Sequence, residues 1–420
     1  MKIRLTIMNF FQFAVWGAYL TSMGTYLYNI GLGAQIGLFY AMQGIVSLFM
    51  PAVIGIIADR WVPAQKLYAF CHWIAAIFML ASGWYGHTAG NEVDFVTLYS
   101  LYALSVAFYM PTLALANSVA YTALDKVKLD PVTTFPPIRI FGTIGFICSM
   151  LLTDMLGFQD NYMQFFSCAC LGIILAVYSF TLPDCPVNRG ADKKSLIEAM
   201  GLRAFTLFRQ KKMAIFFIFS MLLGVSLQIT NGFANPFLSS FKGVPEYADT
   251  FGVNHANALI SLSQMSETLC ILLIPFVLKH FGIKRVMLIA MLAWVLRFGL
   301  FGMGNPGSGV WMFVLSMIVY GVAFDFFNIS GSLFVNNETD LSIRSSAQGL
   351  FVIMTNGIGA TIGTLGAQAV VNHFVDMNST VPQMEGWSAA WFVFAGYALV
   401  VAVLFAVIFR YKHVPQQATK

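Results

Sequence analysis

Apolar stretches of about 20 residues recur from one end of this chain to the other, and they limit its possible folds more than any other feature. A helix needs about 20 mainly apolar residues to cross the hydrocarbon core of a bilayer. The pattern predicts an all-α membrane protein with twelve transmembrane helices. We number them as spans one to twelve, at about 5–29, 36–58, 66–86, 93–122, 135–155, 161–182, 213–240, 255–278, 285–303, 309–336, 345–372 and 387–410.

The composition excludes a soluble protein. Hydrophobic residues make up 58% of the 420 residues and charged residues only 10%, whereas a soluble domain carries about 25% charged residues. The six cysteines show neither metal-ligand spacing nor a disulfide framework, so we expect free thiols, no metal and no cofactor. The net charge of +5 follows from the charge bias of the connecting loops, so no nucleic-acid partner is expected.

Basic residues mark one face of the membrane. Of the 23 lysines and arginines, all except Arg139, Lys242 and Arg297 fall on the same side of the twelve-span map. We call this side the basic face. Because cytoplasmic connections carry the excess of Lys and Arg in membrane proteins, we expect both termini in the cytoplasm. The first apolar run is too long for a signal peptide and contains Asn9 and Gln12, so we interpret it as a membrane helix.

A long basic segment divides the chain into two halves. We predict a six-helix bundle at 1–182, a cytoplasmic linker at 183–212 and a second six-helix bundle at 213–420. Short basic loops follow span two and span eight, which are equivalent places in the two halves. This arrangement is typical of an internal repeat.

The loop after span two carries a recognisable sequence. Gly55-Ile-Ile-Ala-Asp59-Arg60 resembles the cytoplasmic signature of the major facilitator superfamily, although the Gly-Arg that completes that signature does not follow. The resemblance implies two six-helix bundles and a gating role for Asp59 and Arg60, which would form charge pairs at the helix ends. Alternatively, Arg60 only marks the basic face and Asp59 only caps a helix end.

Span ten contains an acidic residue within an apolar, aromatic segment. Asp325 and Asn328 are three residues apart and share a helix face, close to Tyr320 and Phe324. A carboxylate at this depth is costly unless it faces protein or water. We therefore expect Asp325 to line a substrate or proton site, the alternative being a carboxylate held by a neighbouring helix for packing.

Span five places a cation, a hydroxyl and an aromatic ring on one face. Arg139, Thr143 and Phe146 are spaced i, i+4 and i+7. This combination suits a polar, planar ligand. The alternative for Arg139 is that it extends to the basic surface, since it lies near the start of its helix.

Spans seven and eight add amides and a second acid. Gln228 and Asn231 lie one turn apart in span seven, and Gln264 and Glu267 share a face of span eight. Primary amides suit the edge of a nucleobase or a sugar, but they also bond neighbouring membrane helices to each other. Glu267 and Asp325 are predicted at similar depth, where two acids can hold a proton.

Arg297 lies in the middle of span nine, where the sequence identifies no partner. We expect a structural ion pair with an acid of the second half. The sequence shows no serine–histidine–acid set, no histidine cluster and no phosphate-binding glycine loop, so it does not predict an enzyme.

Several blocks resemble the nucleoside:proton symporter family of the major facilitator superfamily, and the resemblance runs from span one to span twelve. They are FPPIRIFGTIGF (135–146), MAIFFIFSMLLG (213–224), LQITN (227–231), SQMSE (263–267), FGIK (281–284), SMIVYGVAFDFFNISG (316–331), IRSSAQGLF (343–351) and FAGY (394–397). The resemblance implies a proton-coupled nucleoside importer of the bacterial inner membrane that works by alternating access. It implies a midplane substrate site between the halves formed by Arg139, Thr143, Phe146, Gln228, Asn231, Gln264, Glu267, Tyr320, Phe324, Asp325 and Asn328.

Within this expectation, Glu267 and Asp325 are the candidates for proton coupling. The expected partners are a nucleoside such as uridine or adenosine, protons and the lipid bilayer, and we expect a monomer. Two alternatives stay open. One is another facilitator, such as a sugar–proton symporter, which would share the topology and the midplane acids. The other is an integral membrane enzyme or sensor.

Overall fold

A computed structural model describes residues 1–185, 202–339, 343–377, 379 and 381–411. Helices make up nearly all of these residues, and none of them forms a strand. The side chains of Asp59 and Arg60 lie outside the described part, so their predicted gating contacts stay a prediction. The helices of the first half are Lys2–Gly17, Met23–Asn29, Ile36–Arg60, Ala64–Ala89, Phe95–Lys126, Pro131–Met155 and Met163–Ser179. Those of the second half are Lys211–Leu227, Ile229–Ser240, Phe251–Asn254, Ala256–Met303, Val310–Glu338, Arg344–Val352, Ala360–Phe374 and Met384–Ile408.

These helices account for twelve crossings of a membrane. Within the described ranges, nine helical segments are long and apolar enough to span a bilayer. One of them, Ala256–Met303, comprises two spans because the chain reverses at Gly282. There φ is +72°, a conformation that glycine adopts without a Cβ clash. The shorter helix Met163–Ser179 is span six, and the first two helices together form span one. The predicted fold class is confirmed.

Three spans that the sequence predicted as continuous helices are interrupted. Span one breaks between Gly17 and Met23, and span seven breaks at Gln228. Span eleven contains a π-helical segment, Ile353–Gly359, between its two α-helical parts. Such interruptions free backbone groups near the middle of a membrane, and transporters use them around ligand sites. Periodicity did not reveal them because the flanking residues stay apolar.

The helices pack as two bundles that meet along three pairs of spans. Span one packs on span five within the first bundle, where Gly145 brings its helix against the backbone of Phe10. Spans nine and ten pack together within the second bundle. The bundles contact each other through spans one and seven, two and eleven, and five and eight. The last two pairs are equivalent if the halves are exchanged, which agrees with the repeat predicted from the sequence.

The interface between the bundles is closed on one side of the membrane and open on the other. In spans two and eleven, a Cβ on Gly37 would strike the Thr364 carbonyl, and one on Gly44 would strike the Thr361 hydroxyl. The described hydrogen bonds that join the two bundles are all on the side opposite the basic face. Among the described residues, none joins the bundles in the half of the membrane next to the basic face.

The linker predicted at 183–212 is described only in part. A 3-10 helix, Leu202–Arg209, packs against spans seven and eleven and buries Ala204 and Leu207. The end of the predicted linker thus packs on the surface of the second bundle. Residues 186–201 lie outside the described part of the chain.

Candidate functional site

Charged side chains of the two bundles meet where span five faces span eight. Arg139 of the first bundle and Glu267 of the second interact electrostatically, and Glu267 in turn interacts with Asp325 of span ten. Charges at partly buried positions interact more strongly than at a protein surface. The cation and the two acids that the sequence singled out from three different spans thus lie within electrostatic range of one another, although no salt bridge among the described residues joins Arg139 to either acid.

Asp325 is buried in the protein and does not face lipid. Its side chain is 5% exposed, and its Oδ2 atom has no hydrogen-bond partner among the described residues. A buried carboxylate oxygen without a donor is costly, and few proteins keep one without a functional reason. The unsatisfied oxygen is an acceptor available to a ligand hydroxyl or a proton.

Two aromatic rings of span ten stand beside these acids. Tyr320 and Phe324 stack with ring centroids 5.6 Å apart and planes 10° from parallel. The Tyr320 hydroxyl lies beside Gln264 and interacts electrostatically with Glu267 and Asp325. Parallel rings next to hydrogen-bonding groups can receive a flat, polar molecule.

The first bundle contributes a second aromatic wall that the sequence did not predict. The Arg139 guanidinium lies 3.8 Å from the centre of the Phe13 ring. Phe146 meets Trp16 edge to face, with the ring centroids 6.4 Å apart. The indole Nε1 of Trp16 is buried without a partner. Phe13 and Trp16 lie one turn apart on span one. The sequence did not single them out, because aromatic rings in a membrane helix usually serve only for packing.

Span one is held in this position by a buried polar network. The Gln12 side chain donates to the Thr112 hydroxyl at 2.8 Å and accepts a hydrogen bond from the Tyr68 hydroxyl at 2.5 Å. His72 Nε2 lies 2.9 Å from the same Gln12 oxygen. The Tyr109 hydroxyl donates to the Gln12 carbonyl at 2.7 Å. Because Gln12 is fixed by two helices, Ala64–Ala89 and Phe95–Lys126, the adjacent Phe13 is held near Arg139.

The amides of span seven lie at its interruption. Gln228 occupies the junction between Lys211–Leu227 and Ile229–Ser240, and Asn231 donates to the Gln228 side chain at 2.9 Å. Both side chains are half-buried. This bond uses one donor of Asn231 and the side-chain oxygen of Gln228, which leaves one donor of Asn231 and both donors of Gln228 for another partner.

Two members of the predicted site are placed without specific contacts. Thr143 and Asn328 are half-buried. Within the described part of the chain, no hydrogen bond or ring contact joins either of them to the other predicted residues. Their assignment to the site stays a prediction.

The ion pair expected for Arg297 is wrong. Arg297 is 1% exposed, and none of the salt bridges among the described residues includes it. Its Nη1 donates to the Ser316 carbonyl at 2.6 Å, and its guanidinium lies 4.7 Å from the centre of the Tyr320 ring. A backbone carbonyl and an aromatic face replace the predicted carboxylate.

A layer of hydrogen bonds closes the side opposite the basic face. Thr25 donates to the Asn235 side chain at 2.7 Å, Asn235 donates to Asn257 at 2.8 Å, and Thr21 donates to Asn257 at 3.0 Å. Further bonds across this layer join Gln368 to Gly33 and Gly37, Asn372 to Ala34, Gln159 to Asn254, and Asp154 to His255. Every hydrogen bond described between the bundles lies in this half of the membrane. A cavity of about 580 Å³ beyond the layer opens to the far face.

Asn235 lies at the centre of this layer and provides a test of closure. We expect Asn235→Leu to loosen the layer by about 1–3 kcal/mol, because buried groups on both bundles lose their partner. Hydrogen–deuterium exchange in nanodiscs should then be faster in Met23–Asn29 and Ile229–Ser240. Asn91→Leu, in an exposed loop, is the control and should leave exchange in both helices at the wild-type rate. Wild-type exchange rates in Asn235→Leu as well would show that these bonds do not hold the bundles together.

The fold and the site define a secondary transporter of the major facilitator type. Two helical bundles enclose a charged, aromatic site that opens to one face and is closed to the other, as alternating access requires. The structure of the D-xylose-proton symporter shares this fold, with a TM-score of 0.69 and 12% identity over 97% of this chain and 98% of that one.

The comparisons identify a more specific class. Residues 1–414 match the family model described as Nucleoside H+ symporter. The chain is 47% identical to nucleoside permease NupG and 45% identical to xanthosine permease, both of Escherichia coli K12, each over 99% of this chain and 97% of the relative. It superposes on the crystal structure of nucleoside transporter NupG with a TM-score of 0.88, at 46% identity over 98% of this chain and 99% of that one.

This chain belongs to the nucleoside:proton symporter family. The function predicted from the sequence, proton-coupled nucleoside import by a multi-pass protein of the bacterial inner membrane, is confirmed at the level of the family. The enzyme alternative is not supported, because these relatives are permeases. The sugar-symporter alternative shares the fold alone.

Proposed function

We propose that the chain binds its nucleoside between the two bundles, at the cluster formed by Arg139, Glu267 and Asp325. The observation that carries this proposal is that these three charges lie within electrostatic range of one another across the bundle interface, beside a stacked aromatic pair and on the open side of the closed layer. A ligand there would contact both bundles, so its binding can be coupled to their relative movement.

The chemistry of the cluster suits a nucleoside. Ribose offers hydroxyl donors to the carboxylates of Asp325 and Glu267, while the amides of Gln228, Asn231 and Gln264 can bond the edge of a base. The face of Phe324 can stack on the base, and Phe146 can cover it from the first bundle. Thr143, Tyr320 and Asn328 complete the proposed set. The unpaired Oδ2 of Asp325 supports its role as a ligand acceptor.

The two acids also provide the proposed link to protons. Asp325 is buried, Glu267 is half-buried, and the two interact electrostatically. Two close carboxylates are not easily both ionised in such a place. A proton that enters from one face can bind with the substrate and leave when the site opens to the other. Either acid can carry it.

We propose that the basic face is cytoplasmic, with both termini on that side, and that this structure faces inward. The positive-inside rule supports the orientation. The inward-facing state is supported by the described hydrogen bonds between the bundles, which all lie in the half of the membrane opposite the basic face. The bundles 1–182 and 213–420 would rock about the site, with Asp59 and Arg60 as part of the cytoplasmic gate and a monomer as the working unit.

Transport by the purified protein in proteoliposomes tests this function. With an inward proton gradient and sodium omitted, labelled uridine or adenosine should accumulate, and each should make the external medium more alkaline as protons enter. Excess nucleosides should compete, whereas lactose and xylose should not. Accumulation without proton entry, or equal competition by the sugars, would contradict the proposal.

The stacking role of Phe324 makes a separate prediction. We expect Phe324→Ala to raise the apparent KM for uridine about tenfold, because the variant loses one aromatic face of the site. Initial uptake rates over a range of uridine concentrations measure this effect. Phe180→Ala removes an exposed ring at the end of span six and should leave the KM unchanged. A wild-type KM in Phe324→Ala would show that this ring only packs.

A further inference from the structure

The buried guanidinium of Arg297 does not have the partners that a charge of this kind usually has. Its Nη1 bonds the Ser316 carbonyl and lies 3.4 Å from the Ser263 hydroxyl, while its Nε is buried without a partner. A buried cation is usually neutralised by an acid, because the desolvation cost is otherwise large. Among the described residues this cation is stabilised chiefly by neutral groups and by rings.

The rings are arranged in a series that leads to the proposed substrate site. The guanidinium carbon of Arg297 is 4.7 Å from the centre of the Tyr320 ring and 5.5 Å from that of Phe301. Trp294 meets the Tyr320 ring edge-on at 6.0 Å and 86°. The Tyr320 ring then stacks on Phe324. Arg297 therefore contacts the Tyr320 ring, and Tyr320 in turn stacks on Phe324, the ring proposed to stack on the base.

We infer that Arg297 is a positioning residue for nucleoside recognition: its charge holds the Tyr320 ring in the plane that lets Phe324 stack on the base. An arginine over an aromatic face is attracted by the negative face of the ring, and this attraction is stronger where water is excluded. The hydrogen bond to Ser316, with the reciprocal bond from the Ser316 hydroxyl to the Arg297 carbonyl at 3.0 Å, fixes the guanidinium over that face.

The position of the Tyr320 hydroxyl follows from the same contact. That hydroxyl lies beside Gln264 and near both acids, so a ring that tilts would move it away from them. Arg297 thus acts on the site through Tyr320 and touches no substrate itself. The inference rests on the proposed function, since it assumes that a nucleoside occupies the space beside Phe324.

A double-mutant cycle tests the coupling between the cation and the ring. Uridine and adenosine are each titrated into purified wild type, Arg297→Met, Tyr320→Leu and the double variant. We expect Arg297→Met to raise the dissociation constant about tenfold, and Arg297→Lys, which keeps a cation, about threefold. In the Tyr320→Leu background, Arg297→Met should cause no further rise, because the ring on which it acts is gone.

Controls separate this role from a structural one. Arg285→Met removes an exposed arginine of the same helix and should leave binding unchanged. If Arg297 only ties span nine to span ten, Arg297→Met will lower the melting temperature while the dissociation constant stays at the wild-type value. That result, or losses that add in the double variant, would overturn the inference.

Two provisions keep the outcome interpretable. If Arg297→Met does not reach the membrane, Arg297→Lys goes through the same cycle, and its threefold loss should vanish beside Tyr320→Leu. A loss that persists there overturns the inference. Wild-type protein that binds neither uridine nor adenosine contradicts the proposed function, whereas normal wild-type binding with an unaffected Arg297→Met contradicts this inference alone.

Discussion

The Asp325→Asn variant is expected to reach the membrane in normal amount and to lose concentrative nucleoside uptake, with accumulation falling about 100-fold or more. Asparagine keeps the shape of the side chain but can neither bind a transported proton nor accept hydrogen bonds as a carboxylate. Bonds to a charged group contribute about 1.5–3 kcal/mol each, and a 100-fold loss corresponds to about 2.7 kcal/mol. Because the Asp325 Oδ2 has no described partner, the substitution breaks no protein hydrogen bond at that atom.

The measurement is accumulation of labelled uridine in proteoliposomes at a fixed proton gradient. Asp249→Asn changes an exposed aspartate in the connection between spans seven and eight, and it should transport as the wild type does. Accumulation by Asp325→Asn at the wild-type level would show that this carboxylate neither binds substrate nor carries the proton.

Glu267→Gln is expected to reduce gradient-driven uptake to a similar extent, for a partly different reason. It removes the acid that faces Arg139 across the bundle interface. Arg139 and Glu267 form no direct salt bridge among the described residues, so the cost lies below the about 3–5 kcal/mol of breaking a fully buried ion pair. Arg139 is only half-buried, so water will reduce that cost. Adding Arg139→Met to Glu267→Gln should therefore cause less loss than the two single effects combined.

An exchange assay distinguishes the two acids. With uridine on both sides and no proton gradient, a variant that lacks only the proton carrier should still exchange labelled for unlabelled uridine. A variant that lacks a ligand contact should fail in both assays. Glu246→Gln, an exposed substitution in a loop, is the matched control. If Glu267→Gln keeps full accumulation, Glu267 has no place in the coupled site.

The parts of the site that could be predicted from sequence are those that are rare in a membrane helix. Asp325 and Glu267 stand out because a carboxylate in a span needs a reason to be there. Arg139 stands out in the same way, and in the structure these three charges lie within electrostatic range of one another. Their role in a site stays a prediction. Their spans could be placed because each exceeds the length of a bilayer crossing.

The features of the site that the sequence did not predict depend on which residues become neighbours in the folded protein. Phe13 and Trp16 look like ordinary membrane-helix aromatics until span one is placed against span five. The sequence predicted an acid beside Arg297, but in the structure its guanidinium contacts the Ser316 carbonyl and the Tyr320 ring. The same limit applies to the closed layer, since Thr25 and Asn235 carry no sign in the sequence that they bond across the bundles.

The interruptions of the helices also depend on tertiary structure. Span seven breaks at Gln228 and span eleven forms a π-helical segment at Ile353–Gly359, although each span as a whole is apolar enough to cross a membrane as one helix. Local propensity is a weak guide where the surrounding bundle decides which backbone groups are satisfied.

A structure of the wild-type protein with bound uridine tests the central claim most directly. The account predicts the nucleoside between the two bundles, with the ribose within hydrogen-bonding distance of Asp325 or Glu267 and the base against Phe324. A nucleoside bound instead in the cavity beyond the closed layer, or at any place out of reach of both carboxylates, would contradict it.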